Sequence, residues 1–358
     1  MASVNEKELM RIIKSGELSG AYYLYGTDRY AVEKYCKAMV EKTVKKGDEA
    51  YNLHRFAGRD LDVEGLSEVC DAFPMFADKL CVTVGDLDME ETKQRQGHKS
   101  ITADRMKLLT QTVSDVPDTT VLIFYAPNID VCGGKKKPTA KNKKLIDLVA
   151  KKGTVCELNI KSRSENIKMI SALIAKQGST IDERAAGLVL DRCGCDMNMA
   201  VNETDKLAAY ANGGHITESD VAMLTPDSSD AKSYDLANAV AAGNMSRATE
   251  LYSELTADPE NTPVYLLYVL AGSMNDLYRA RLALDSGKSI SDVMQDFSYQ
   301  ANLEFRVRNA FSAVRKTSTE KLRHCLETLA NADMAMKTGA GDPAVILEKA
   351  IVSMLSER

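Results

Sequence analysis

The sequence of 358 residues contains no tryptophan and only eight prolines. None of its apolar stretches approaches the roughly 20 residues that a membrane-spanning helix needs. The amino terminus, MASVNEK, is polar and does not read as a secretion signal. We therefore expect a cytoplasmic protein with no membrane segment. With 44% hydrophobic and 27% charged residues, the composition excludes disordered, collagen-like and coiled-coil proteins.

Cysteine and histidine are sparse and scattered. The eight cysteines lie mostly alone inside apolar segments, and the four histidines occur singly. This is not the dense spacing of a secreted disulfide scaffold, so a reducing compartment fits the sequence best. Only Cys193 and Cys195 are close together, and zinc would need two further ligands at suitable spacing. We predict no metal site.

The short motifs of common enzyme classes are also missing. There is no Gly-x-Ser-x-Gly elbow, no His-Glu-x-x-His and no Gly-x-Gly-x-x-Gly after a strand. Gly287-Lys288-Ser289 ends like a phosphate-binding loop, but it follows a helical segment and lacks the earlier glycine. We predict neither a catalytic site nor a bound cofactor.

The first 160 residues alternate between short strand-like and longer helix-like segments, which is typical of a parallel sheet covered by helices. The strand candidates, rich in β-branched and aromatic residues, are 21–25, 51–56, 81–84, 121–126 and 154–159. The helix candidates between them are 28–46, 63–72, 103–113 and 143–152.

Beyond residue 159 the strand pattern disappears and helices predominate. A breaker, Thr225-Pro226-Asp227-Ser228-Ser229, interrupts this helical part. We predict three domains: an α/β domain over residues 1–160, a small helical domain over 161–226 and an all-helical domain over 227–358.

The first strand-to-helix junction is where a nucleotide-binding α/β domain carries its phosphate loop. After Gly26 the sequence lacks the second glycine and the lysine of that loop. Thr27 or Asp28 is instead placed to cap the next helix, and a carboxylate there would repel an anion. We predict that this junction does not bind a nucleoside triphosphate.

A turn of unusual composition follows the helix predicted over residues 63–72. It carries Phe73, Pro74, Met75 and Phe76, with Asp71, Asp78 and Lys79 around them. These apolar side chains could fold under the domain as a buried plug. They could equally form an exposed anchor that enters a pocket on a partner. The sequence leaves both interpretations open.

A basic segment runs from Lys135 to Lys152. Its lysines are 135, 136, 137, 141, 143, 144, 151 and 152, and Asp147 is its only acid. A solvated surface is the commoner explanation for such a run. The alternative is contact with a nucleic-acid phosphate backbone through Lys135, Lys136, Lys137, Lys141, Lys143 and Lys144. Few aromatic residues are interleaved, so base stacking is not indicated.

Four segments, taken in order, give the chain a family resemblance. They are YLYGTD at 23–28, PMFADK at 74–79 leading into LCVTV, GCDM at 194–197 running to ETDKLAAY at 203–210, and ADMAMKTG at 332–339. From about Tyr22 to the carboxyl terminus, the sequence resembles the delta subunit of bacterial DNA polymerase III, a component of the sliding-clamp loader.

The resemblance implies an ATPase-like α/β domain that has lost ATP binding, a small lid-like domain and a helical collar that assembles with other loader subunits. It implies a subunit of the polymerase holoenzyme that opens the ring-shaped clamp and meets primer-template DNA within the loader. In the family a hydrophobic pair wedges into the clamp, and Met75 and Phe76 match it, with Phe73 and Pro74 beside them. Family members commonly have Leu-Phe there, so Met75 is a softer substitute.

Two other classes of function remain open from the sequence. One is an active ATPase of the same fold, which the junction at Gly26 disfavours. The other is a helical nucleic-acid-binding scaffold unrelated to replication, which only the basic segment supports.

Overall fold

The computed structural model describes residues 3–89, 102–133, 137–299 and 303–356. The chain divides into two compact units, Met1–Ile160 and Lys161–Arg358. Within the described ranges, no helix has the length and apolar character needed to cross a bilayer.

The first unit contains a fully parallel sheet, as predicted. Its strands are β1 (Ser3–Val4), β2 (Gly20–Tyr25), β3 (Leu53–Ala57), β4 (Leu80–Gly85), β5 (Thr120–Ala126) and β6 (Thr154–Glu157). Their order across the sheet is β1-β6-β2-β5-β4-β3. Strand β2 is central, and its Tyr22 pairs with Ile123 of β5 on one side and Thr154 of β6 on the other.

Helices cover both faces of this sheet. They are α1 (Glu6–Ser15), α2 (Arg29–Thr43), α3 (Glu49–Asn52), α4 (Val63–Cys70), α5 (Ala103–Asp115) and α6 (Ala140–Lys152). Because successive side chains of a strand point to opposite faces, Tyr22 and Leu24 join the core with α1 and α2. Tyr23 and Tyr25 join the second core, with α4, α5 and α6. The sheet is therefore buried on both sides.

Two of the boundaries that differ from the sequence prediction lie beside the turn at residues 73–76. Tyr51 and Asn52, predicted to begin a strand, lie in α3, where the Asn52 amide donates to the Asp48 carbonyl at 3.0 Å. The helix predicted to reach residue 72 ends at Cys70. Pro74 explains this earlier end, since a proline ring clashes with the carbonyl four residues before it in a continuing helix.

The second unit begins with four helices: α7 (Arg163–Lys176), α8 (Glu183–Arg192), α9 (Met197–Ala211) and α10 (Glu218–Leu224). Two short strands, β7 (Thr180–Ile181) and β8 (His215–Ile216), pair in parallel among them. The expectation that no strand follows residue 159 is therefore wrong. Strands of two residues are too short to leave an alternating pattern in the sequence.

In the described residues from 229 onward the α-helices are α11 (Ser229–Ala241), α12 (Met245–Thr256), α13 (Pro263–Asp285), α14 (Ile290–Asp296), α15 (Glu304–Ala313), α16 (Thr319–Lys337) and α17 (Pro343–Ser356). All of these except α14 contribute to one core, which includes Met274 and Leu277 of α13, Leu329 of α16 and Ile351 of α17. The helical class of this part is as predicted. A separate domain boundary at residues 226 and 227 stays a prediction.

The chain after β6 runs directly against the junction between β2 and α2. The Leu158 carbonyl accepts from the Asp28 amide at 2.9 Å, and the Leu158 amide donates to the Tyr25 carbonyl at 2.7 Å. Gly26 has φ +145°, and a Cβ atom there would lie 2.0 Å from the Leu158 carbonyl oxygen. Only glycine fits this close approach of two backbones.

We expect Gly26→Ala to lower the free energy of unfolding by more than Gly16→Ala does. Both residues have positive φ, but a Cβ at Gly16 meets nothing within 4 Å. Backbone strain of about 1 to 2 kcal/mol applies to both variants. Overlap with Leu158 adds about 1 to 3 kcal/mol at Gly26 alone. Denaturant unfolding of the two variants measures the difference, and equal midpoints would contradict the close approach.

Candidate functional site

The loop of residues 71–79 between α4 and β4, called here the 71–79 loop, exposes its apolar side chains. Phe73 is 88% exposed, Phe76 94% and Met75 49%, while Pro74 is half-buried. The buried-plug interpretation is therefore wrong. Large apolar side chains grouped on one short exposed loop are typical of a surface that meets a partner.

Side-chain hydrogen bonds tie this loop and the end of α4 to residues at or near the starts of other strands. Thr120 Oγ1 donates to the Cys70 carbonyl at 3.0 Å, where α4 ends. Asn52 bonds the backbone of Met75, and Lys79 Nζ donates to the Leu18 carbonyl. Leu18, Asn52 and Thr120 lie at or near the amino ends of β2, β3 and β5. In a parallel sheet these ends share one edge, so the edge as a whole supports the loop.

Phe76 has a left-handed backbone conformation, with φ +57°. Non-glycine residues seldom adopt it, and it persists only where the surroundings determine it. The side chain of Phe76 is almost fully exposed, so packing around its ring does not supply that constraint. The residue before it, Met75, has both backbone groups bonded by the Asn52 side chain. No pattern in the sequence signals this conformation.

The junction between β2 and α2, where a nucleotide-binding domain would hold phosphates, lies at the opposite, carboxyl-end edge of the sheet. In this chain it is occupied by protein groups. Asp28, which is buried, caps α2 by accepting from the Ala31 amide at 2.9 Å. Thr27 Oγ1 donates to Asn159 Oδ1 at 3.2 Å and accepts from the Ile160 amide at 3.1 Å. The helix-capping prediction is thus confirmed for Asp28. The amide that Asp28 binds is one that a phosphate at this helix terminus would need.

A cleft of about 660 Å³ opens at the carboxyl ends of β3, β4 and β5. Asp86, Asp88 and Asp130 line it together with Arg59 and Asn128. Asp86 accepts from the backbone and side-chain amides of Asn128, at 2.9 and 2.7 Å. An anionic ligand such as a triphosphate is disfavoured by this acidic lining.

The lysines of the basic segment lie on and just before α6. Lys137, Lys141, Lys143 and Lys144 are exposed, whereas Lys135 and Lys136 lie outside the described residues. Toward the end of the helix, Lys152 Nζ donates to the Ser114 carbonyl at 2.9 Å. Exposure of the side chains is compatible with both a solvated face and a contact with phosphate. The DNA contact stays a prediction.

Among the described residues, no three histidine, cysteine or acidic side chains converge on a point where a metal could sit. Cys193 and Cys195 are buried. Burial raises the pKa of each thiol to about 12, which keeps both protonated at neutral pH.

Two family models match the chain. The model for the delta subunit of DNA polymerase III matches residues 22–159, and the model for the carboxyl-terminal domain of that subunit matches residues 230–354. Together the two regions cover more than half of the sequence. The chain belongs to the DNA polymerase III delta subunit family.

Individual members of this delta family agree with the assignment. DNA polymerase III subunit delta of Bacillus subtilis (strain 168) is 23% identical over 355 residues, covering 97% of this chain and 96% of that one. The solved structure of a Bacillus subtilis DNA clamp loader delta protein has a TM-score of 0.65 at 20% identity. It covers 98% of this chain and 99% of that chain, so the two share their fold along almost their whole lengths.

We expect no saturable ATP binding by this delta-family chain at micromolar concentrations. Asp28 occupies an amide at the start of α2, and the phosphate-binding lysine is missing. Equilibrium titration with a fluorescent ATP analogue provides the measurement. Saturable binding that disappears on changing Thr27 or Asp28 would contradict the prediction.

Proposed function

We propose that the chain is a clamp-loader delta subunit that binds and opens the sliding clamp through the 71–79 loop. The observation that carries this proposal is the near-complete exposure of Phe73 and Phe76 beside Met75 on a loop anchored to the sheet. The pair that matches the family's wedge, Met75 and Phe76, lies on this loop. Membership of the delta family supports the same function.

Burial of these side chains in a pocket supplies the binding energy. Each apolar side chain removed from water stabilises a complex by about 1.5 to 3 kcal/mol. Met75 adapts to a pocket because its side chain is unbranched, while Phe76 offers a large rigid ring. A central aromatic anchor beside a flexible neighbour is a common form of interface hot spot.

Opening the ring by this route requires no chemistry from the subunit. If the pocket fits the wedge better in the open ring than in the closed ring, binding shifts the population by that difference in affinity. ATP hydrolysis then belongs to partner subunits of the polymerase III complex. The subunit itself needs neither a catalytic site nor a cofactor.

The remaining parts of the chain take the other roles of a loader subunit. Residues 227–358 act as the collar that assembles with the other subunits in the cytoplasm, and residues 161–226 act as the lid-like domain. Lys137, Lys141, Lys143 and Lys144 contact the backbone of primer-template DNA, a role with which their exposure is compatible. Lys135 and Lys136 belong to the same run.

We expect Met75→Ala with Phe76→Ala to abolish binding to the sliding clamp of the same cell with little loss of thermal stability. Both side chains are exposed, so their truncation leaves no cavity. Surface plasmon resonance and thermal unfolding of the same variant measure the two effects.

Three variants serve as controls for this experiment. Met10→Ala removes an apolar side chain on α1 that is 39% exposed, and it should leave clamp affinity unchanged. Met39→Ala and Phe124→Ala remove fully buried side chains and should each destabilise the fold by about 2 to 5 kcal/mol. Two results would refute the assignment of Met75 and Phe76 to clamp binding. One is a clamp affinity of the double variant within a few fold of wild type, and the other is a loss of stability as large as that of the core variants.

Replacing Lys137, Lys141, Lys143 and Lys144 by glutamine should weaken DNA binding by the assembled loader equally across sequences. Each lost phosphate contact lowers the slope of log affinity against log salt by about 1. Fluorescence anisotropy at several salt concentrations measures this slope. The control variant replaces four other exposed lysines, 37, 42, 45 and 46, by glutamine and so removes the same amount of charge elsewhere on the chain. Equal slopes for the two variants would assign the basic segment to the solvated surface.

A further inference from the structure

Asn52 is a fully buried amide side chain at the end of α3, next to a highly exposed loop. We propose that Asn52 is a positioning residue that holds Met75 and Phe76 in the conformation that binds the clamp. This inference rests on the proposed function, because it concerns the same loop.

One side chain satisfies both backbone groups of Met75. Asn52 Nδ2 donates to the Met75 carbonyl at 2.8 Å, and Asn52 Oδ1 accepts from the Met75 amide at 2.7 Å. The two bonds resemble those that a neighbouring β-strand makes with the amide and the carbonyl of one residue. The backbone of Asn52 is itself fixed, since its amide donates to the Asp48 carbonyl at 3.0 Å. Complete burial of Asn52 keeps water from competing for these bonds.

Met75 lies at a position in the loop from which its two backbone bonds affect the orientation of Phe76. Pro74 has a fixed φ and no amide to donate. Phe76 holds a left-handed conformation while its ring is exposed. Met75 lies between them, so its two bonds to Asn52 set the direction in which the chain enters Phe76. A loop held in its bound conformation loses less entropy on binding than a loose one.

If Asn52 had a purely structural role, its replacement would lower the stability of the chain without a specific effect on affinity for the clamp. Asn142 provides a matched control for that alternative. It is 1% exposed, its Oδ1 accepts from the Met89 amide at 3.2 Å, and its Nδ2 donates to the Val131 carbonyl at 3.3 Å. Asn142 is thus also a buried asparagine whose side chain bonds one backbone amide and one backbone carbonyl, but these belong to two residues, Met89 and Val131, outside the 71–79 loop.

The experiment compares Asn52→Ala and Asn142→Ala in the full chain, by thermal unfolding and by affinity for the purified sliding clamp. We expect both variants to lose stability and only Asn52→Ala to lose clamp affinity, by at least tenfold. Clamp affinity of Asn52→Ala within twofold of wild type would overturn the positioning role. An equal loss of affinity in Asn142→Ala would overturn it as well, since the effect would then follow general destabilisation.

Hydrogen exchange measured by mass spectrometry gives a second readout. In the wild type, peptides containing Met75 should show a protected amide despite their exposed side chains. Asn52→Ala should remove that protection and leave exchange in β4 unchanged. Should Asn52→Ala fail to fold, Asn52→Asp keeps the acceptor and places an oxygen against the Met75 carbonyl, with the same expected loss of affinity. An unprotected Met75 amide in the wild type would overturn the inference.

Two outcomes separate this inference from the proposed function. If the wild type does not bind the clamp, the proposed function fails. If the wild type binds, the Met75→Ala, Phe76→Ala variant does not, and Asn52→Ala binds like the wild type, then the wedge stands and the positioning role of Asn52 fails.

Discussion

A parallel sheet buried on both faces is the constraint on which the first unit depends. Side chains of β2 alternate between two cores, so neither face of the sheet is open to a partner. Contact with other molecules falls to the connections at the two edges and to the outer surfaces of the helices. The amino-end edge holds the exposed 71–79 loop, and the carboxyl-end edge holds the junction at Gly26.

These two edges have opposite properties. At the carboxyl end, the chain around Leu158 closes on Gly26, and Asp28 caps α2. The junction between β2 and α2 is thus filled by contacts within the domain, and the acidic cleft at the ends of β3, β4 and β5 lies on the same edge. At the amino end, the Asn52 side chain bonds the backbone of Met75 within the loop. Thr120 bonds the end of α4 just before the loop, and the Lys79 side chain donates from the loop to the Leu18 carbonyl. These bonds hold the loop at the edge while the side chains of Phe73 and Phe76 remain in water, which is the arrangement a binding loop requires.

In the function proposed above, this arrangement lets an α/β domain without a phosphate loop act through binding. A wedge works by differential affinity, so its effectiveness depends on geometry held before contact. The bonds of Asn52 to Met75 hold part of the loop to the sheet edge, and helices cover both faces of that sheet. In the proposed function, the α/β domain serves to position the loop against the clamp.

The sequence alone determined the α/β class, the helical remainder and the absence of a phosphate loop, because these depend on local periodicity and on residues adjacent in the chain. It also singled out Met75 and Phe76 but left their burial open, since apolar composition is the same for a core and for an interface. Tertiary structure decided that they are exposed, that Phe76 is left-handed and that Asn52 bonds Met75. Those features depend on residues far apart in sequence, such as Asn52 and Met75, which lie 23 positions apart. Only the packing of parallel strands brings their amino ends to one edge.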